Sequence, residues 1–216
     1  MLRILLARHG QTDWNALGRN QGSADVELDA VGTNQSEQLA ERMESEKIQW
    51  IYSSDLKRAA QTAERVAARF GSQIVLDPLL RERSYGKWEG LTTAEIEAVD
   101  RKHLEAYRRD PALVAPPEGE TGIDLFARAG CFLVKLLETH AQGTALIVSH
   151  GGTIANLIAA LLHGTPSTAA CIRIFNCAIT EIVILENQRR ILVRFNDVAH
   201  LDPKPLDHTF AGSAAH

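Results

Sequence analysis

A chain of 216 residues fits one domain with a full hydrophobic core, and its 45% hydrophobic and 23% charged residues exclude wholesale disorder. A net charge of -4 argues against a nucleic-acid surface, because phosphate-backbone affinity comes from clustered Lys and Arg. Cys131, Cys171 and Cys177 form no CxxC pair, so neither a disulfide framework nor a thiolate metal site is signalled. The apolar run in the opening MLRILLARHG is too short for a signal h-region or a membrane span, so the expected setting is a reducing cytoplasm without a membrane partner.

The first apolar run, Leu2 to Ala7, predicts a buried strand that stops at Arg8-His9-Gly10. Leu39 and Met43 predict a helix over Ser36 to Glu46, and Trp50 to Tyr52 predict a second strand. Ser53, Ser54 or Asp55 then caps a helix reaching about Phe70, followed by a short strand over Ser72 to Leu76. Asp77 to Gly122 holds four of the seven prolines and reads as an excursion with its own short helices. A helix is predicted over Ile123 to Thr139 and a strand over Ala145 to Val148. That strand stops at Ser149-His150-Gly151-Gly152 before an apolar helix through about Leu162. Ile179 to Leu185 and Ile191 to Phe195 predict a hairpin, and Ala211 to His216 a frayed end. Strands alternating with helices predict a layered α/β domain with a largely parallel sheet and an antiparallel edge hairpin.

In open α/β sheets, ligands sit beyond the carboxyl ends of the strands, where this chain places His9 and His150. Arg8-His9-Gly10 combines a permanent cation, a nucleophilic imidazole and a residue that lets backbone approach, the components of an anion site. Arg58 lies in the first turn of a predicted helix, where the amide dipoles already favour an anion; the alternative pairs it with Asp55. His150, with Gly151 after it, is placed to donate to a transferred phosphoryl group. Glu82, in LLRERSYGKWEGL, becomes a general acid if burial against Tyr85 or Trp88 raises its pKa; Glu89 is the rival carboxylate. No HxH or HExxH arrangement marks a metal site.

LLARHGQTDWN, YSSDLKRAAQTAE, ERSYGKWEGL, PPEGET and LIVSHGGT occur in that order, and together they resemble the histidine phosphatase superfamily, also called the phosphoglycerate mutase-like family. The resemblance runs from Leu2 to about Leu201. It implies a three-layer α/β/α sandwich with a mostly parallel central sheet and an antiparallel edge strand. It also implies one domain over 1–210 with a cap inserted at about 77–122, and a tail at 211–216. It makes His9 the phosphorylated nucleophile, Glu82 the proton donor, and Arg8, Arg58 and an imidazolium at His150 the phosphate pocket. Asn15 matches the position that hydrogen-bonds the phosphoryl oxygens, and Gln21 and Gly22 fall where mutase members contact the organic part of the substrate. Glu120 and Thr121 match a segment read as structural, as does His200 in the closing NxxxHL segment.

The segment after Glu82 is similar to the broad-specificity and α-ribazole phosphatases, and the glycolytic mutases carry an extra covering segment not found here. The resemblance therefore implies a phosphoric monoester hydrolase of the histidine acid phosphatase type, with no cofactor, acting on a small phosphorylated metabolite. The alternatives are a cofactor-dependent phosphoglycerate mutase and a non-catalytic phospho-ligand module, the latter disfavoured because His9, Glu82 and His150 are all kept. Arg101, Lys102, Arg108 and Arg109 bind a second anionic group or form a solvated helix face. Monomer and homodimer are equally compatible with the sequence.

Overall fold

A computed structural model describes residues 1–202. Strand β1 (Leu2–Arg8) buries Ile4, Leu5, Leu6 and Ala7 completely, as a strand covered on both faces must. It pairs in parallel with β4 (Gly143–Ser149) and antiparallel with β5 (Ile179–Ile184). With β2 (Trp50–Ser53), β3 (Ile74–Leu76) and β6 (Arg190–Asp197), the sheet runs in the order β3-β2-β4-β1-β5-β6. Four parallel strands thus continue into an antiparallel hairpin at one edge.

Alternate side chains feed two cores. Ile4, Leu6, Ala145 and Ile147 pack against α5 (Gly122–Thr139) and α6 (Gly151–Leu161). On the other face, Leu5, Ala7, Leu146 and Val148 pack against α2 (Ala30–Met43) and α3 (Lys57–Phe70). Helices therefore cover both faces of the sheet, the expected three layers. Among the described residues, no helix is long and apolar enough to cross a membrane.

Local hydrogen bonds shifted several boundaries. Helix α2 begins six residues before the expected Ser36, because the Asp29 carboxylate accepts from the Gly32 amide at 2.7 Å and opens the helix there. The cap of α3 is not Ser53, Ser54 or Asp55. Leu56 occupies that position without a side-chain bond, and the Asp25 carboxylate, brought in from a distant loop, accepts from Lys57 N at 2.7 Å. Asp55 instead pairs with Arg81, at 2.8 and 2.6 Å. Two helices that were not expected, α1 (Asp13–Ala16) and α7 (Pro166–Ala170), are too short to show apolar periodicity and are held by the capping boxes Thr12/Asn15 and Thr165/Thr168.

The excursion contains two 3-10 turns, Pro78–Leu80 and Gly86–Trp88, and one long helix, α4 (Thr93–Arg109), rather than short helices alone. Helix α4 is broken at Asp100, where φ is -146° and ψ is 42°. Trp88, Ile96 and Leu104 form a small core of its own with Tyr85, Leu91 and Tyr107 around it. The expected tail at 211–216 lies outside the described residues.

Candidate active site

Parallel pairing of β1 with β4 brings the two histidines together. Arg8 is in register with Ser149, the His9 amide donates to Ser149 O at 2.9 Å, and the His9 and His150 rings lie 5.1 Å apart. His9 opens onto a cavity of about 550 Å³ roofed by the excursion, large enough for a small metabolite, and His150 lies buried behind it.

The His9 ring is 2% exposed, and its Nδ1 lies 2.7 Å from Gly10 O. A carbonyl only accepts, so Nδ1 carries the hydrogen and Nε2 holds the lone pair. Burial, with the Arg58 and Arg8 guanidiniums beside it, holds His9 well below the ordinary histidine pKa of 6.5. The ring is therefore neutral near pH 7. Gly10 was expected to let backbone reach a ligand; instead its missing side chain lets Gly32 of α2 pack against it, and its amide donates to Thr62 Oγ1 at 3.1 Å.

Arg58 is fully buried. Its Nη1 donates to Ala24 O and its Nη2 to Gly22 O, each at 2.7 Å, and its Nε donates to His150 Nδ1 at 3.1 Å. Burial lowers its pKa to about 10, opposed by the nearby Glu82 charge. Arg8 donates from Nη1 to Ile174 O at 2.6 Å, while its Nε is buried without a partner and Gly151 lies against its guanidinium. Among the described residues, neither arginine has an ion-pair partner, and the expected alternative of Arg58 with Asp55 does not occur.

His150 departs from expectation. Because its Nδ1 accepts from Arg58, the hydrogen sits on Nε2, which donates to Ser54 Oγ at 2.9 Å. Burial and the Arg58 charge push its pKa well below 6.5, so it is a neutral ring and not an imidazolium. Both nitrogens are engaged by protein.

Asn15 accepts at Oδ1 from Thr12 N at 3.2 Å and from Asn176 Nδ2 at 3.4 Å, which leaves its amide hydrogens for the cavity it lines. Gln21 and Gly22 also line the cavity. Gln21 is 8% exposed with Oε1 unpartnered, but Gly22 serves Arg58 through its carbonyl. At φ +54° it lies where any Cβ would strike the Glu89 carboxylate.

Glu82 lies at the start of α6. Its Oε2 accepts from Gly152 N at 3.0 Å, and its Oε1 accepts from Thr153 N at 3.1 Å and Arg83 N at 3.0 Å. The bare Gly152 backbone makes room for that carboxylate. Trp88, one of the two expected burial partners, packs instead on His103 and Tyr107. Glu89 accepts from Ser23 N, Ser23 Oγ and Tyr85 N at 2.8–3.0 Å and does not line the cavity, so it staples loops. Of Arg101, Lys102, Arg108 and Arg109, Arg108 lines the cavity, whereas Arg101, Lys102 and Arg109 are exposed. Ser54, Thr62 and Asn176 escaped sequence reasoning. They act through hydrogen bonds to residues far away in the chain, which leave no local pattern. Among the described residues, no three His, Cys, Asp or Glu side chains converge as a metal-ligand set.

This geometry gathers two guanidiniums, a neutral imidazole and a carboxylate around one cavity at the strand ends of an α/β sandwich. The chain belongs to the histidine phosphatase superfamily (branch 1), whose family model matches residues 4–198. A Yersinia enterocolitica protein named "Probable phosphoglycerate mutase GpmB" is 35% identical over 215 residues, covering 96% of this chain and 98% of its own. A mycobacterial glucosyl-3-phosphoglycerate phosphatase, solved with VO3, superposes with a TM-score of 0.82 at 35% identity, covering 90% of this chain and 98% of that one. The α-ribazole phosphatase from Shigella flexneri superposes with a TM-score of 0.85 at 27% identity, covering 90% and 96%.

Proposed function

We propose that the protein is a metal-independent phosphomonoesterase that hydrolyses small phosphorylated metabolites through a phosphohistidine on His9. The observation that carries this reading is the pair of guanidiniums, Arg58 fully buried and Arg8 half-buried with its Nε enclosed, without a carboxylate partner among the described residues, beside an imidazole whose Nε2 is unprotonated. Buried charge is costly unless it is paired, and a phosphoryl group supplies the missing anion.

In the first step His9 Nε2 attacks phosphorus, the bond to the leaving oxygen breaks, and protonated Glu82 gives its hydrogen to that oxygen. In the second, the Glu82 carboxylate takes a proton from water as the water oxygen attacks phosphorus, the P–N bond breaks, and phosphate leaves with neutral His9 restored. Arg8, Arg58 and the Asn15 amide hold the equatorial oxygens and supply positive charge of the kind that metal ions bring to other phosphoryl-transfer sites. His150 contributes a neutral ring that orients Arg58, and its single N–H, now on Ser54, is the donor it can turn toward a phosphoryl oxygen. Gly151 lets the guanidinium of Arg8 lie against the start of α6.

The phosphatase names of the mycobacterial and Shigella structures support hydrolysis, and the mutase name of the Yersinia relative keeps transfer back to a phosphoglycerate as the second reading. A panel of phosphorylated metabolites assayed for phosphate release in EDTA tests the proposal. Release from one or more esters supports it. Loss of all activity with chelator, or interconversion of 2- and 3-phosphoglycerate well above hydrolysis, overturns it.

A further inference from the structure

Glu82 sits on a stretch with no secondary structure of its own: Arg81 to Tyr85 follow the first 3-10 turn and precede the second. No ladder fixes the backbone there, yet a proton donor must be held within hydrogen-bond reach of the leaving oxygen, and misplacement by about 1 Å costs on the order of 10²-fold in rate.

The fixing comes from α5. Arg128 Nη1 donates to Leu79 O and Arg81 O, both at 2.8 Å, and Nη2 donates to Glu82 O at 3.2 Å. The same guanidinium is clamped in a two-point fork by Glu120, with Nε to Oε1 at 3.0 Å and Nη2 to Oε2 at 2.9 Å. Glu120 Oε2 also accepts from Ser84 N at 2.9 Å, and Thr153 Oγ1 donates to Arg81 O at 2.7 Å. One planar cation thus gathers two carbonyls of the Glu82 segment and one of the turn before it, and its carboxylate partner binds the segment two residues further on. Arg128 itself is outside the cavity lining, so it has no route to the substrate. A guanidinium suits the task because it spreads five N–H donors in one plane, a geometry that an ammonium cannot copy.

We propose that Arg128, locked by Glu120, is a positioning residue that sets the height of the Glu82 carboxyl over the leaving oxygen. This rests on Glu82 donating the leaving-group proton, as proposed above. A displaced Glu82 slows the first step only where the departing oxygen needs that proton; the water step that follows is shared by every ester, so kcat/KM, which reports the first step alone, separates the two.

The test compares p-nitrophenyl phosphate, whose leaving group departs as a stable anion, with phenyl phosphate, whose leaving group is far more basic. Arg128→Lys and Glu120→Gln are expected to lower kcat/KM on phenyl phosphate by about 10-fold or more and on p-nitrophenyl phosphate by less than about 3-fold, because general acid catalysis is worth about 10²–10⁴ only where it is used. Thermal midpoints and inorganic phosphate titrations are measured alongside, and the two variants disturb the clamp from opposite sides, so a folding failure in one leaves the other to decide. Equal loss on both substrates, or no loss on either, overturns the proposal. Glu82→Gln separates the two layers. If it is selective and the clamp variants are not, only the role of Arg128 falls. If Glu82→Gln itself loses both substrates alike, the assignment of Glu82 as the acid falls first, and the positioning role with it.

Discussion

Arg58 Nε donates to His150 Nδ1 across 3.1 Å, and this bond decides the protonation of the second histidine. An arginine that cannot give up its proton forces the ring nitrogen facing it to accept. His150 is therefore neutral with its hydrogen on Nε2, and the positive charge of the pocket resides in the two guanidiniums.

The same charges control His9. Because burial and the neighbouring guanidiniums lower its pKa well below 6.5, the proposed nucleophile stays unprotonated in mild acid. The acid limb of kcat/KM, which reports groups on the free enzyme, is expected below pH 6.5. A pH–rate profile on p-nitrophenyl phosphate measures it, and a limb above that value would mean that His9 is not buried beside Arg8 and Arg58 in solution.

Stability should follow the same sign. His9 and His150 are both neutral when folded and bind protons more readily when unfolded, so their contribution is complete above pH 6.5 and is lost as pH falls toward their lowered folded values. Each costs about 1.4 kcal/mol per pH unit in that window. Urea midpoints taken downward from pH 7 should drop, and His150→Asn should flatten the fall.

Inorganic phosphate is expected to stabilise the fold, because it neutralises the buried Arg58 and the half-buried Arg8, which lack carboxylate partners among the described residues. At 100 times its dissociation constant, the gain is about 2.7 kcal/mol. Thermal scans with and without phosphate read it out. Arg58→Met should abolish the shift, and a shift of wild-type size in that variant would place the phosphate elsewhere.

His9→Ala should eliminate turnover and the acid-labile phosphoryl group that rapid quenching traps on the wild-type chain. Retained phosphate binding with lost turnover is the expected pair of results; normal activity would remove His9 as nucleophile.

Gly22→Ala should cost about 2–4 kcal/mol, since its φ of +54° is unfavourable for a side chain and the new Cβ collides with the Glu89 carboxylate. Because Gly22 O holds Arg58, phosphate affinity should fall with stability. Chemical denaturation and phosphate titration check both.

The strands and the longer helices were legible because their signal is local. The run Leu2–Ala7 is continuously apolar where β1 is covered on both faces, and α5 repeats its apolar residues at helical spacing. The caps were not legible. Asp25 serves Lys57 and Asp29 opens α2 through bonds that depend on where a loop returns, and α1 and α7 are too short for any periodicity.

The site divides in the same way. Arg8, His9, Glu82 and His150 could be read from their types and from their places after strands or in dense motifs, because chemistry demands those side chains and the ends of parallel strands expose them. Sequence alone therefore determined the layered α/β class, the family and most of the residues that gather at the strand ends. Tertiary structure decided which nitrogen of each histidine carries a proton, that His150 is neutral, that Gly10 and Gly22 serve packing and Arg58, and that Glu89 is a staple while Glu82 faces the cavity. The His150 tautomer, the pairing and the close approaches depend on partners tens of residues away, and proximity of that kind exists only once the chain has folded.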